Sequence, residues 1–189
     1  MVKVIASEVR KGNVLEIDGV LCTVVKAESV RPGKGTPTTH LDVRRISDGV
    51  KLNKSYRTTE NVERAFLDEV NYNFLYQDDM GYNFMEPTTF EQISISKELI
   101  GDQAQWLQEN MSCALQLFEG VPVAISLPAK VTMLLVEAEP AVKGQTASSS
   151  FKPGKLENGA RVMVPPHIGA GIRVVILTED GSYVERAKD

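Results

Sequence analysis

A single lysine stands between two glycines in the segment Arg31-Pro32-Gly33-Lys34-Gly35-Thr36-Pro37. Glycine tolerates positive φ and carries no side chain, whereas proline fixes φ, so we predict a loop that is tight at its base and bare at its tip. Such a loop presents one primary amine to a partner. An ordinary solvated hairpin turn is the alternative, because Gly, Pro, Thr and Lys are common turn and surface residues.

A nucleotide-binding P-loop is a further alternative, because Gly33-Lys34 matches the end of that motif. However, Glu28 stands where the first glycine of the motif is required, and Gly35 replaces the Ser or Thr that would hold magnesium. The segment therefore does not predict a P-loop.

Few other residues suggest catalysis or metal binding. His40 and His167 are the two histidines, and neither lies at ligand spacing from Cys22 or Cys113. The chain has no Gly-x-Ser-x-Gly, His-Glu-x-x-His or complete Gly-x-Gly-x-x-Gly motif. We therefore expect no catalytic residues, no metal site and no enzymatic activity, with both thiols reduced and buried.

Charge is distributed unevenly along the chain. Residues 1–64 hold 12 Lys and Arg against 8 Asp and Glu, a net of +4, whereas residues 65–128 hold 1 against 10, a net of −9. Residues 129–189 hold 8 against 7, a net of +1. The basic first third favours contact with a phosphate backbone, which would repel the acidic middle third. An ordinary soluble surface is the alternative interpretation of a net charge as small as +4.

Hydropathy indicates a cytoplasmic protein. No apolar run approaches the roughly 20 residues that a membrane-spanning helix requires, and the first residues lack the apolar core of a signal peptide. We therefore expect a cytoplasmic location and no membrane partner, and we expect the chain to be a monomer.

The elements that must position the lysine loop are predicted to be short strands. Asp18-Gly19, between two apolar runs, is a strong hairpin signal, and Asp48-Gly49 marks a second turn. Further strand patterns and one helical stretch at 97–110 follow. The predicted strands cover residues 14–17, 20–25, 41–46, 70–76, 82–85, 111–118, 121–127, 130–136, 161–164 and 172–176. The absence of βαβ alternation favours an all-β chain of small barrels over an α/β enzyme.

Several motifs together resemble the bacterial translation elongation factor P family. Residues 152–171, which read Lys-Pro-Gly-Lys-Leu-Glu-Asn-Gly-Ala-Arg-Val-Met-Val-Pro-Pro-His-Ile-Gly-Ala-Gly, are similar to its C-terminal signature. Further matches in the same order are Pro32 to Gly35, Arg10 with Gly12, Thr89 to Gln92, Gly101-Asp102 ahead of Trp106-Leu107, and Ala141 to Ala147. The resemblance covers essentially the full length.

The resemblance implies an L-shaped, tRNA-like protein of three domains. They are a KOW-like (SH3-like) N-terminal barrel at 1–64 and two OB-fold barrels at 65–128 and 129–189. The family binds the ribosome between the P and E sites and promotes peptide-bond formation at stalled consecutive prolines. Its partners include the P-site peptidyl-tRNA and the E-site mRNA codon. A β-barrel that binds RNA or a small molecule without a ribosomal role remains the alternative function.

The same resemblance implies which residues act. Lys34 is the residue that many members extend with a β-lysyl group, attached by an enzyme similar to lysyl-tRNA synthetase; no other cofactor is implied. The implied tRNA and ribosome contacts are Arg31, Pro32, Gly33, Lys34, Gly35, Arg44, Arg45, Gly144, Thr146, Tyr183 and Arg186. Strand alternation predicts that Arg44 and Arg45 lie on opposite faces. The chain departs from the family pattern at Gln145, where aspartate is usual, and at Gly154, where alanine is usual.

Overall fold

The computed structural model describes residues 1–140 and 151–188, which form three antiparallel sheets. The predicted all-β fold of three small β units is therefore confirmed. No helix within these two ranges is long and apolar enough to cross a membrane.

The first sheet has six strands and contains the lysine loop. In the order β1-β6-β2-β3-β4-β5, it consists of β1 Val2–Ile5, β6 Asn61–Arg64, β2 Val14–Ile17, β3 Val20–Val30, β4 Thr38–Arg45 and β5 Lys51–Arg57. The predicted hairpin at Asp18-Gly19 is present, with φ of 53° and 77°. Positive φ at both positions matches the twist of the flanking strands, which explains why this dipeptide signals a hairpin.

The core of this sheet is apolar and comes from alternate positions of its strands. Its buried members include Leu15, Cys22, Val24, Leu41 and Val43, each no more than 1% exposed. A β-bulge at Val25 interrupts the pairing of β3 with β4, since Val24 pairs with Val43 and Lys26 with Asp42. An extra residue reverses the alternation of a strand. Beyond the bulge, Ala27 therefore packs against the core instead of Lys26.

The second sheet has five strands in the order β11-β10-β7-β8-β9. Its strands are β7 Asp68–Gln77, β8 Tyr82–Met85, β9 Gln92–Ile95, β10 Ser112–Phe118 and β11 Val121–Ser126. The predicted helix at 97–110 is too long: α1 covers Lys97–Ile100, and a 3₁₀ turn follows at Gly101–Trp106. The α-helix ends at Gly101, which adopts a φ of 61° that favours glycine.

The third sheet also has five strands, in the order β14-β13-β12-β15-β16. Its strands are β12 Lys130–Ala138, β13 Lys152–Leu156, β14 Arg161–Val164, β15 Arg173–Leu177 and β16 Tyr183–Arg186. Trp106 is 4% exposed and joins the core of this sheet with Met133, Leu135 and Ile176. The tryptophan is therefore a core residue of this sheet.

Contacts divide the chain into two compact units, one of Met1–Val70 with Leu115–Ile125 and one of Asn71–Ala114 with Ser126–Asp189. The first unit contains the core of the six-stranded sheet and a smaller cluster of Val14, Ala65 and Val123. The second contains the core around Trp106. The boundaries that we placed near residues 64 and 128 remain predictions.

Gly154, where the resembling family usually has alanine, lies in a confined position. A Cβ atom there would lie 2.8 Å from Cδ1 of Leu135 and 3.0 Å from the carbonyl oxygen of Glu137. Leu135 is fully buried in the core of the third sheet. Alanine at 154 would therefore require Leu135 or the strand to move in this structure.

Both cysteines are free and buried, as we expected from the sequence. Burial raises the pKa of the Cys113 thiol from its ordinary value of 9.0 to about 11, and it also raises the pKa of Cys22. Thiolate is the reactive form of cysteine. Neither thiol should therefore react readily in the folded protein.

We expect iodoacetamide at pH 9 to leave both cysteines unmodified in the native protein and to alkylate both in denaturant, as measured by intact mass. The raised pKa of Cys113 also makes the free energy of unfolding depend on pH, because the folded state favours the neutral thiol. This stabilisation by the buried neutral thiol is fully present below pH 9 and is lost as the pH rises through about 11. Alkylation of native Cys113 as fast as a free thiol would contradict this burial.

Candidate nucleic-acid interface

The lysine loop closes a long antiparallel hairpin of β3 and β4. Pairing runs from Cys22 opposite Arg45 to Val30 opposite Thr38, so residues 31–37 lie beyond the last pair. All six residues from Arg31 to Thr36 are exposed. The hairpin therefore presents the loop of Lys34 to solvent from a paired base.

Proline and glycine shape the tip of this loop, as the sequence predicts. Gly35 has a φ of 129°, which is unfavourable for residues with a side chain. A Cβ atom at Gly35 would also lie 3.3 Å from Cγ of Pro32. The backbone can therefore turn closely against Pro32 because residue 35 is glycine.

Two backbone hydrogen bonds hold the base of the loop. The N–H of Thr58 donates to the carbonyl of Pro37 at 3.1 Å, and the N–H of Ser7 donates to the carbonyl of Thr58 at 3.1 Å. These bonds connect the end of the loop to the turn after β5 and to the 3₁₀ turn at Ala6–Glu8. The loop is thus anchored to segments that are distant in sequence.

A buried hydroxyl also stabilises the hairpin near its loop. Thr39 is 1% exposed, and its Oγ1 lies 2.9 Å from Oγ of Ser29 on the paired strand. Ser29 itself is exposed. Ser29 therefore provides the hydrogen-bond partner of a hydroxyl that water does not reach.

Ion pairs divide the basic residues of the first sheet into two groups. Nζ of Lys26 lies 2.8 Å from Glu28, Nη1 of Arg45 lies 2.8 Å from Asp48, and Nζ of Lys54 lies 3.0 Å from Asp18. The hydrogen bonds to these carboxylates raise the pKa of Lys26 and of Lys54. These three cations are locally neutralised and are less available to a phosphate partner.

The second group consists of basic residues that form no ion pair in the described part of the chain. Within residues 1–140 and 151–188, no ion pair involves Arg31, Lys34, Arg44, Lys51 or Arg57. Lys34 and Arg31 share the loop, and Arg57 pairs with Thr38 at its base. Arg31, Lys34 and Arg57 therefore place unpaired cations at the loop and its base, an arrangement suited to polyanions. Arg44 and Lys51 pair with each other at the opposite end of β4 and β5.

The structure distinguishes Arg44 from Arg45, which sequence alternation already placed on opposite faces. Arg44 is exposed and unpaired within the described ranges, whereas Arg45 follows Leu41 and Val43 on the inner face and bonds Asp48. Of these two predicted contacts, Arg44 is the better suited to bind a phosphate. The role of each as a contact remains a prediction.

The remaining predicted contacts belong to the C-terminal part of the chain. Tyr183 and Arg186 lie on β16 in the second compact unit, where Tyr183 packs against the core and Arg186 is exposed. Gly144 and Thr146 lie outside the described residues. The structure therefore brings together the loop residues and the two β4 arginines in one sheet.

Among the residues that the structure describes, no group of three or more His, Cys, Asp or Glu side chains could hold a metal ion.

The sequence indicated Arg10 only as part of the family resemblance. In the structure, Arg10 and Arg31 line the same shallow cleft. No periodicity in the sequence could have indicated this proximity, because the two arginines lie on different segments.

Three protein-family models match consecutive parts of this chain. The elongation factor P KOW-like domain matches residues 5–62, the elongation factor P OB domain matches 67–125, and the elongation factor P C-terminal model matches 131–186. Together these matches cover most of the chain.

Curated relatives agree with these matches, and one solved structure has a similar fold. Proteins named elongation factor P from Xanthobacter autotrophicus, Rhizobium etli and Agrobacterium fabrum are 62%, 61% and 59% identical, each over 189 residues and 100% of both chains. A solved structure described as eukaryotic translation initiation factor 5A from Methanococcus jannaschii is similar with a TM-score of 0.53 at 21% identity. It covers 67% of this chain and 92% of its own, and it supports the fold alone.

We expect Ser29→Ala to destabilise the hairpin more than Thr39→Val. Ser29→Ala leaves the buried Thr39 hydroxyl without its partner, which costs about 1–3 kcal/mol, whereas Thr39→Val removes that hydroxyl and leaves Ser29 free to bond water. The double variant should resemble Thr39→Val. Native-state amide hydrogen exchange of β3 and β4 measures the difference, and a larger loss for Thr39→Val would contradict the assignment.

Proposed function

Because this chain belongs to the elongation factor P family and is a translation elongation factor, we propose that it acts on the ribosome through the loop of Lys34. In this proposal it binds between the P and E sites. It promotes peptide-bond formation at consecutive prolines by ordering the acceptor end of the P-site tRNA. The observation that carries the proposal is the exposed Lys34 at the tip of an anchored hairpin, where it forms no ion pair with any residue that the structure describes.

Proline makes peptide-bond formation slow for geometric reasons. Its ring restricts the backbone and its nitrogen is a secondary amine, so reactive arrangements of the two substrates are rarely sampled. A cationic arm that bonds phosphates and riboses near the CCA end would reduce this entropic cost. Each tenfold gain in rate requires only about 1.4 kcal/mol. The ribosome performs the transfer, and the factor contributes only positioning.

Extension of Lys34 with a β-lysyl group would lengthen this arm. The lysine suits such a modification because its side chain is exposed and the flanking glycines leave the amine accessible. A modifying enzyme similar to lysyl-tRNA synthetase would have to recognise the loop. We assign no other cofactor and no catalytic residue to this chain.

The first test concerns which cations contact RNA. We expect the double variant Arg31→Gln/Lys34→Gln to weaken ribosome binding and to lower its salt dependence. The slope of log K against log salt should fall by roughly 0.7 to 0.9 for each phosphate that the variant no longer neutralises. Co-sedimentation of the full-length protein with ribosomes across a salt series measures both quantities.

The matched control for this test is Lys26→Gln/Lys54→Gln, which changes the net charge equally within the same sheet. Because Glu28 and Asp18 already neutralise these lysines, the control should retain most of the wild-type salt slope. Equal effects of the two double variants would contradict the division into paired and unpaired cations. Failure of the wild-type protein to co-sediment would instead favour a binding module without a ribosomal role.

The second test separates reach from charge at Lys34. In a host shown to modify the wild-type lysine, Lys34→Arg keeps the charge but cannot be acylated at an ε-amine, whereas Lys34→Ala loses charge, reach and modification site. We expect Lys34→Arg to bind ribosomes but to rescue a polyproline reporter poorly. Lys34→Ala should be at least as defective in rescue. Wild-type synthesis rates with Lys34→Arg would show that charge alone suffices.

A further inference from the structure

A shallow cleft of about 340 Å³ lies beside the base of the lysine loop. Its polar lining residues are two arginines and three residues with hydroxyl side chains, namely Arg10, Arg31, Ser7, Ser29 and Thr58. Val9 and Ala27 supply the apolar part of the lining. Among the described residues, neither an acidic nor an aromatic side chain lines this cleft. The lining therefore favours an anion and offers no surface on which a base could stack.

The β-bulge at Val25 orients one wall of the cleft. Because the extra residue reverses the alternation of β3, Ala27 and Ser29 turn to the side of the sheet that holds the core. Arg31 is two residues beyond Ser29 and lines the cleft with them. The same reversal puts Lys26 and Glu28, which form an ion pair, on the opposite, exposed face of the strand.

The opposite wall is fixed by hydrogen bonds to the backbone. Nη1 of Arg10 donates to the carbonyls of Ser7 at 2.7 Å and of Val9 at 3.0 Å. The backbone N–H of Arg10 donates to Oδ1 of Asn13 at 3.0 Å. A guanidinium group has five N–H donors, so anchoring one nitrogen orients the group and leaves further donors for a ligand.

Both walls are connected to the lysine loop through Thr58. Its carbonyl accepts from Ser7, and its N–H donates to Pro37 at the end of the loop. The cleft and the loop base therefore share one set of backbone hydrogen bonds. Binding in the cleft would hold a strand of RNA next to the base of the arm.

We propose that the cleft between Arg10 and Arg31 binds one phosphodiester group of an RNA backbone, with both guanidinium groups on the same phosphate. Two planar forks of donors with nearby hydroxyls match the acceptor oxygens of a phosphate. The proposal deepens the proposed function and rests on it, because the RNA strand is the one that the lysine arm orders. It adds a second, fixed contact to the exposed contact of Lys34.

The test is a double-mutant cycle on the full-length protein. The probe is an RNA hairpin that reproduces a tRNA acceptor stem with its single-stranded CCA end, and fluorescence anisotropy measures its Kd. We expect Arg10→Gln and Arg31→Gln each to weaken binding roughly tenfold. If both arginines hold one phosphate, the double variant should bind only slightly more weakly than the worse single variant. If the two single-variant increases in Kd multiply in the double variant, or if Arg10→Gln leaves Kd unchanged, the proposal is overturned.

Arg173→Gln is the matched control, because it removes one exposed cation from the third sheet and should leave Kd unchanged within about twofold. If Arg173→Gln weakened binding as much as Arg10→Gln does, net charge alone would explain the effect, and the proposal would be overturned. Arg31→Gln changes an exposed loop residue, so it keeps the cleft testable even if Arg10→Gln fails to fold.

A second measurement uses the wild-type protein and inorganic phosphate, with sodium chloride at matched ionic strength as the reference. The Nε–Hε resonances of Arg10 and Arg31 should shift with one common saturation point, and phosphate should displace the RNA hairpin beyond the effect of the chloride. Absence of a common saturation point would overturn the shared site. Phosphate binding without displacement of the hairpin would show a site for free phosphate and overturn the RNA assignment.

Failure of this proposal is distinguishable from failure of the proposed function. If the wild-type protein co-sediments with ribosomes while Arg10→Gln binds both ribosomes and the RNA hairpin as well as the wild type, only the cleft assignment is wrong. If the wild-type protein does not co-sediment with ribosomes, the proposed function fails first.

Discussion

The register of β3 against β4 determines how the lysine loop is presented. At one end of the pair, Cys22, Val24 and Val43 are buried in the core, and a slip by one residue would move such side chains to the opposite face. The free-energy cost of exposing these side chains fixes the register near the core. Backbone pairing then extends the register to Val30 and Thr38, where the loop begins. The exposed loop thus acquires a defined base from side chains near the other end of the hairpin.

Ion pairs make the distribution of positive charge on this small domain uneven. Its net charge of +4 is modest, yet three of its lysines and arginines are paired with Glu28, Asp48 and Asp18. Those pairs are solvent-exposed or half-exposed and contribute little to stability. Their effect is to remove positive charge from part of the surface, whereas Arg31, Lys34 and Arg57 at the loop and its base form no ion pair within the described residues.

Much of the architecture followed from local sequence signals. Asp18-Gly19 predicted its hairpin because positive φ at both residues is rare outside such turns, and the strand at 161–164 was predicted with its observed bounds. Strands β1 and β6 were not predicted, because they pair with each other across about sixty residues and no local hairpin turn marks either of them. Strand β16 was also missed. The helix was overestimated because Gly101 ends it early.

The site was only partly predictable for a related reason. The exposure of Lys34 follows from its neighbours in sequence, whereas the pairing of Lys54 with Asp18 and the proximity of Arg10 to Arg31 depend on tertiary structure. No glycine or proline near Val25 indicates the bulge in the sequence. It nevertheless determines which residues of β3 face the cleft, so any assignment based on simple alternation from Val24 would have chosen the wrong face.

The position of β6 in the first sheet affects how this domain can fold during synthesis. Strands β2 to β5 are consecutive neighbours, so they can pair as soon as each leaves the exit tunnel, but β1 pairs only with β6, where Val2 lies opposite Arg64. The N-terminal strand must therefore wait, unpaired, until about sixty further residues have emerged. Closing so long a stretch of chain is slow relative to forming local hairpins. The hairpin that carries Lys34 should consequently be in place before the sheet beneath it is complete.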